Sequence, residues 1–233
     1  MTGQQQTHVR DHRSLLAAAE KRTLVWMATR LPAWINSDHL SALGLLSMGA
    51  AGVCFALWPA AGWAGPGVIV ALALNWFGDS LDGTLARVRN QQRPRYGYYV
   101  DHIIDLAGTT CLLGGLAVSG LMNPVVAMAM LAGYVLVCGE TYLATHVTRV
   151  FTMSFLGFGP TELRIVLAAG VLKATATPVV DVAVLGSTRL FDIGGIAATI
   201  GLIVAFAFNG VRNTRRLYSE EPVPLQTPES RAA

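Results

Sequence analysis

Six stretches of the chain are apolar for about the 20 residues that a helix needs to cross the hydrocarbon core of a bilayer. They cover residues 40–60, 68–87, 98–121, 124–146, 162–185 and 191–211. Their apolar positions form continuous blocks rather than the single stripe of a soluble amphipathic helix. Lys173, Pro178 and Asp181 interrupt the fifth block. The first forty residues follow another pattern. There Leu15, Leu16, Ala19, Trp26 and Met27 alternate with Arg13, Lys21, Arg22 and Arg30, which predicts an amphipathic helix lying in the membrane interface. Pro32 ends that helix, and the Asn36-Ser37-Asp38 cluster caps the first span. After Arg216, proline and acidic residues predict a disordered tail. The expected fold is an all-α polytopic membrane protein. It comprises an N-terminal interfacial segment over 1–36, a six-helix membrane domain over 37–213 and a disordered cytoplasmic tail over 214–233.

Composition strengthens this picture. Of 233 residues, 53% are apolar and only 13% charged, where a globular domain carries about 25% charged residues. Mean hydropathy is +0.48. An ordinary soluble enzyme, a disordered chain and a disulfide-stapled secreted module are all excluded. The formal net charge is +3, and the basic residues gather at the ends of apolar blocks, a placement suited to a membrane surface and not to nucleic acid. Arg10, Arg13, Lys21, Arg22 and Arg30 precede the first block. Arg87, Arg89, Arg93 and Arg95 follow the second, Arg149 follows the fourth, and Arg212, Arg215 and Arg216 follow the sixth. The first and third connections carry no basic residue and the fifth only Arg189. The positive-inside rule then places both termini and the second and fourth connections in the cytoplasm, in a multi-pass protein of the cell membrane. Trp26, Trp34, Trp58 and Trp63 sit at block boundaries as an aromatic belt. Cys54, Cys111 and Cys138 stand singly in apolar runs and read as small core hydrophobes. The polar first dozen residues predict no cleavable signal peptide.

The candidate chemistry lies in Gly78-Asp79-Ser80-Leu81-Asp82-Gly83-Thr84-Leu85-Ala86-Arg87 and Gly97-Tyr98-Tyr99-Val100-Asp101-His102-Ile103-Ile104-Asp105. Asp79 and Asp82 are three apart, and Asp101 and Asp105 four apart, so each pair shares one face of its helix. Consecutive antiparallel helices with a short cytoplasmic connection bring all four together near one end of the bundle. A single charge at the centre of a spanning helix costs about 2.5–3.5 kcal/mol. Hard divalent cations resolve the problem, since Mg²⁺ or Mn²⁺ takes carboxylate, water and phosphate oxygens. Two such ions neutralise the cluster and clamp a pyrophosphate. Gly83 and Gly97 leave room for a nucleotide to approach. Arg87, one turn from Asp82, is placed to meet phosphate oxygens or to orient the carboxylates.

This spacing resembles the CDP-alcohol phosphotransferase family, whose signature is D-x-x-D-G-x-x-A-R, a short gap, then G-x-x-x-D-x-x-x-D. Asp79, Asp82, Gly83, Ala86, Arg87, Gly97, Asp101 and Asp105 fill every defining position. The gap from Arg87 to Gly97 holds nine residues where the family usually has eight, and the resemblance extends over roughly residues 34–211. It implies an enzyme of phospholipid biosynthesis that transfers a substituted phosphate group from a CDP-linked donor to an alcohol. It also implies two Mg²⁺ or Mn²⁺ ions held by Asp79, Asp82 and Asp101 on the donor pyrophosphate. Asp105 is then the general base for the acceptor hydroxyl, also in reach of a metal, and CMP leaves. Donor contacts fall to Asp79, Asp82, Gly83, Ala86, Arg87 and Gly97. CDP-diacylglycerol is the preferred donor, while the acceptor alcohol is left open. Family members commonly form homodimers, and Gly108, Gly114, Gly115 and Gly120 permit close helix packing.

Weaker signals surround this core. His102 reads as a local hydrogen-bonding residue. Thr161 reads as the N-cap of the fifth span, with Glu162 on the helix dipole. The competing reading makes Arg149, Glu162 and Arg164 an acceptor site for a phosphate or acidic head group. Glu140 and His146 interrupt the fourth block and are expected to face the bundle interior. Two rivals remain. A UbiA-type intramembrane prenyltransferase would use Asn75-x-x-x-Asp79 and Asp101-x-x-x-Asp105, but leaves Asp82-Gly83 and Ala86-Arg87 without a role. A cation transporter would need an acidic ladder through the membrane, which the remaining halves of these blocks lack.

Overall fold

The computed structural model describes residues 17–148, 160–182 and 186–223. Their elements are α1 (Ala17–Ala28), α2 (Ser37–Ala56), α3 (Ala64–Val88), α4 (Pro94–Val118), α5 (Pro124–Thr148), α6 (Pro160–Ala176), β1 (Val179–Val182), β2 (Gly186–Arg189) and α7 (Leu190–Glu220). Four of the helices, α2, α4, α5 and α7, are long and apolar enough to cross a membrane. The 25-residue α3 is not among them; it carries Asp79, Asp82 and Arg87 in its second half. At 17 residues, α6 stands at the lower end of the length range for a span.

The expectation of a fifth block running to residue 185 is corrected here, where one two-stranded sheet joins the otherwise helical elements. Helix α6 stops at Ala176 because Pro178 has no N–H and forces the preceding residue out of helical geometry. Beyond it the β-branched Val179, Val180 and Val182 form β1, which pairs antiparallel with β2 from Val179↔Arg189 to Val182↔Gly186. At the other end of the chain α7 continues through Arg216 to Glu220, past the boundary expected at residue 213.

Asn36 caps α2 as the sequence suggests. Its Oδ1 accepts the His39 N–H at 2.9 Å, and His39 Nδ1 accepts the Asn36 N–H at 3.3 Å. Helix α2 is the central post. Its Gly44 meets Gly78 of α3 so closely that a Cβ on Gly78 would stand 2.6 Å from the Leu40 carbonyl oxygen. Its Gly52 meets Gly115 of α4 backbone to backbone, with no space for a side chain at either position. Around these crossings Ala51, Phe55, Val68, Leu72, Leu113 and Leu116 form the main core, closed by Val171 and Phe191. A smaller cluster of Leu24, Ala28, Leu40, Leu81 and Leu85 seats α1 on α2 and α3. Cys138 is buried as expected, whereas Cys111 is exposed.

The turn between α3 and α4 takes only residues 89–93, because Val88 ends α3 and Pro94 already starts α4. The nine-residue gap is therefore absorbed partly by helix. Asn90 takes a left-handed φ of 54° that closes the end of α3, a conformation asparagine tolerates well. Arg89 spans back to the α1–α2 connection, donating to the carbonyls of Leu31, Pro32 and Ile35. Arg93 pairs with Asp38 at the start of α2. These ties hold the ends of α2, α3 and α4 in one register.

The contact of Gly52 with Gly115 yields a paired test. Gly115→Ala is expected to lower the thermal unfolding midpoint in detergent, in line with an overpacking cost of about 1–3 kcal/mol. Gly114→Ala, where a Cβ meets nothing within 4 Å, is expected to leave the midpoint in place.

Candidate active site

The close Gly44–Gly78 crossing places the next residue of α3, Asp79, beside α2. One turn further on, Asp82 faces Ser41. Ser41 Oγ donates to Asp82 Oδ2 at 2.5 Å, and Ser37 Oγ donates to the Asp82 carbonyl at 3.0 Å. The Gly83 N–H caps the other carboxylate oxygen of Asp82. From α4, Asp101 completes the group. Asp79, Asp82 and Asp101 line one small cavity with Ser41, Gly44, Asn75 and Ile104. Its interior of about 10 Å³ is the room of roughly one water-sized sphere. Three of the four aspartates singled out in the sequence thus meet at one point of the fold.

Asp105 does not line that cavity. It lies one turn further along α4, exposed, and acts electrostatically on Tyr134, Cys138 and Tyr142 of α5. The two acids of α4 therefore face different neighbours. His102 between them is a local hydrogen-bonding residue: Nδ1 donates to the Tyr98 carbonyl at 2.6 Å, and the ring stands edge-on to Tyr142.

Two residues that sequence reasoning did not place in the site organise it. Asn75, 4% exposed, donates from Nδ2 to the Gly44 carbonyl at 2.9 Å and accepts the Arg164 Nε–H on Oδ1 at 2.7 Å. Ser41 is the other, through its bond to Asp82. Each is a polar side chain within an apolar run, and Asn75 also stands four before Asp79, in the spacing that the rival prenyltransferase reading would use. Arg164, singled out as an acceptor contact, donates from Nη2 to Asp79 Oδ2 at 2.5 Å. That pair is well sheltered, with side chains 16% and 22% exposed. The buried Nη1 of Arg164 has no hydrogen-bond partner among the described residues.

The remaining expectations divide. Arg87 reaches Thr84 Oγ1 at 3.0 Å from its exposed position on α3. Ala86 lies half-buried on the same turn. At Gly97 a Cβ would meet nothing within 4 Å, and at Gly83 only the end of Arg87. The chain's own packing thus gives no reason for glycine at either place. Glu162 sits in the first turn of α6 as expected. Thr161 is not the N-cap: Pro160 already begins α6, and the Thr161 hydroxyl donates to Glu20. Glu140 faces a neighbour, accepting from Asn213 of α7 at 2.7 Å. His146 is exposed, its position on α5 turning it away from the interior. Arg149 lies outside the described residues.

The side-chain groups at the cavity that could bind a cation do so through oxygen: three carboxylates, a serine hydroxyl and the Asn75 amide, with no thiolate or imidazole lining it. That chemistry fits a hard divalent cation. As the side chains stand, no three acidic, histidine or cysteine groups among the described residues form a closed ligand set. Arg164 supplies positive charge to Asp79 in this arrangement.

The family model of CDP-alcohol phosphatidyltransferase matches residues 34–208, which include every residue of the cavity. No curated protein matches the chain. The match covers most of the sequence, and the aspartates it encloses meet where α2, α3 and α4 cross, so this chain belongs to the CDP-alcohol phosphatidyltransferase family.

Proposed function

We propose that the protein transfers a phosphatidyl group from CDP-diacylglycerol to an acceptor alcohol, releasing CMP, at the cavity between α2, α3 and α4. The observation that carries this reading is the meeting of Asp79, Asp82 and Asp101 at one all-oxygen cavity. Asp79, Asp82 and Asp101 would hold the two Mg²⁺ or Mn²⁺ ions. When bound, these ions offset the negative charge of the carboxylates and of the donor pyrophosphate. Gly83 and Gly97 leave the donor space, and Ala86 and Arg87 belong to the same contact surface. The openness around both glycines supports that role.

Asp105 takes the proton of the acceptor hydroxyl while that oxygen attacks the phosphorus. Its position outside the cation cavity supports a duty separate from the other three acids. Arg164, with Arg149 and Glu162, recognises the acceptor. The unpartnered Nη1 of Arg164 supports this, as a buried donor without a partner costs about 1–3 kcal/mol. The membrane domain has six spans, with the site and both termini on the cytoplasmic side, and pairs as a homodimer. Gly108 and Gly115 are committed to α2 within the chain, whereas the face at Gly114 is open to a partner.

Two results test the reading. Assayed with CDP-diacylglycerol and a panel of alcohols, CMP release is expected to vanish with EDTA and return with Mg²⁺ or Mn²⁺; full activity in metal-free buffer contradicts the cation role. Asp105→Asn is expected to bind the donor in calorimetry yet lose about 10²–10⁴-fold in single-turnover CMP release. Asp82→Asn is expected to lose donor binding and turnover together. Equal loss of donor binding in both variants makes Asp105 a ligand rather than the base.

A further inference from the structure

Glu20, in the first turn of α1, receives hydrogen bonds from two other helices on a single carboxylate oxygen. Its Oε1 accepts the Trp76 indole N–H at 2.8 Å and the Thr161 hydroxyl at 2.6 Å. Both are charge-assisted bonds, about twice as strong as neutral ones. Their partners are not scattered. Trp76 follows Asn75 and lies one turn before Asp79 on α3, and Thr161 lies one turn before Arg164 on α6. The two helices stapled together by Glu20 are therefore the two joined by the Arg164–Asp79 ion pair and the Arg164–Asn75 bond. Leu24 and Ala28, further along α1, are buried against Leu81 and Leu85, so the anchor point cannot drift freely.

We infer that Glu20 is a positioning residue of the cation site, pinning the first turn of α6 to α3 and so holding the Arg164 guanidinium on Asp79. The inference rests on the reading of Asp79 as a cation ligand. It has a consequence of definite sign. A guanidinium on Asp79 Oδ2 competes with a divalent cation for the same oxygen, so loosening Arg164 strengthens cation binding. Damage to the fold has the opposite effect and weakens it.

The test is a Mn²⁺ titration of the full chain in lipid nanodiscs without nucleotide, followed by electron paramagnetic resonance. R164A is expected to bind Mn²⁺ several-fold more tightly than the wild type, and E20A to shift in the same direction. The double variant E20A/R164A is expected to bind no more tightly than R164A alone, because both changes release one interaction. T161V, which removes one arm of the staple and leaves the carboxylate, is expected to shift binding by less than E20A. Should E20A fail to fold, T161V and E20Q carry the same comparison, with E20Q retaining an acceptor oxygen and lying nearer the wild type. Unchanged or weaker Mn²⁺ binding in the Glu20 and Thr161 variants, or effects of E20A and R164A that multiply, overturns the inference. Unaltered Mn²⁺ binding in D79N, or none in the wild type, overturns the cation assignment of the cavity and the inference with it. Loss of binding in D79N beside neutral Glu20 variants strikes the inference alone.

Discussion

Two backbone contacts of α2 set the geometry of everything else. Gly44 against Gly78 and Gly52 against Gly115 bring α3 and α4 onto α2 at distances that any side chain would prevent. Where helices lie among apolar surroundings, close approach of small residues supplies packing that a hydrophobic driving force between them does not. The first crossing stands directly beside Asp79, so the acids of α3 take their positions from a contact between glycines. The second aligns α4, and with it Asp101, against the same post. Ser41 then reaches Asp82 from α2 because no side chain intervenes.

Concentrating three carboxylates in one cavity creates an electrostatic problem, and the chain meets part of it with its own groups. Ser41 and the Gly83 N–H bond Asp82, while Arg164 pairs with Asp79. Arg164 is in turn directed by Asn75, whose other end is fixed to the backbone of α2. The resulting chain of bonds runs from α2 through α3 to α6, and Glu20 extends it to α1. A sheltered ion pair of this kind specifies geometry more than it stabilises, since desolvation offsets much of its attraction. Breaking one partner leaves the other charge uncompensated, which is why such a network holds its members in place.

Much of this was legible in the sequence because it depends on local pattern. Apolar blocks predicted the long helices, since the composition of a run and its length decide whether a helix can sit in a bilayer. The i, i+3 and i, i+4 spacings of the aspartates put each pair on one helix face, and the family resemblance they carried agrees with the family match over 34–208. Asn36 as the cap of α2 was readable too, because capping is settled within four residues. The same locality failed at residues 177–189. There β1 and β2 stand in place of the expected helix, and the proline read as an interruption was the stop signal.

Tertiary structure alone decided what the polar residues between the motifs do. Nothing in the spacing of Asn75, Ser41, Thr161 or Glu20 distinguishes a hub from a solitary polar side chain, because their partners lie 31 to 141 residues away. Spacing alone likewise put Asp105 and Asp101 on one helix face; the family resemblance gave them separate roles, and the tertiary structure set Asp101 in the cavity and Asp105 outside it. Thr161 differs from its sequence reading for the same reason, as an N-cap is inferred from neighbours in the chain, and the pairing of Arg164 could not be read from them at all. Their actual partners, Glu20 and Asp79, were brought to them by helices arriving from elsewhere. Helix identity and motif register are local properties of this chain, and the sequence by itself determined them. The pairing of charges is a property of how its helices cross, and the glycines of α2 decided it.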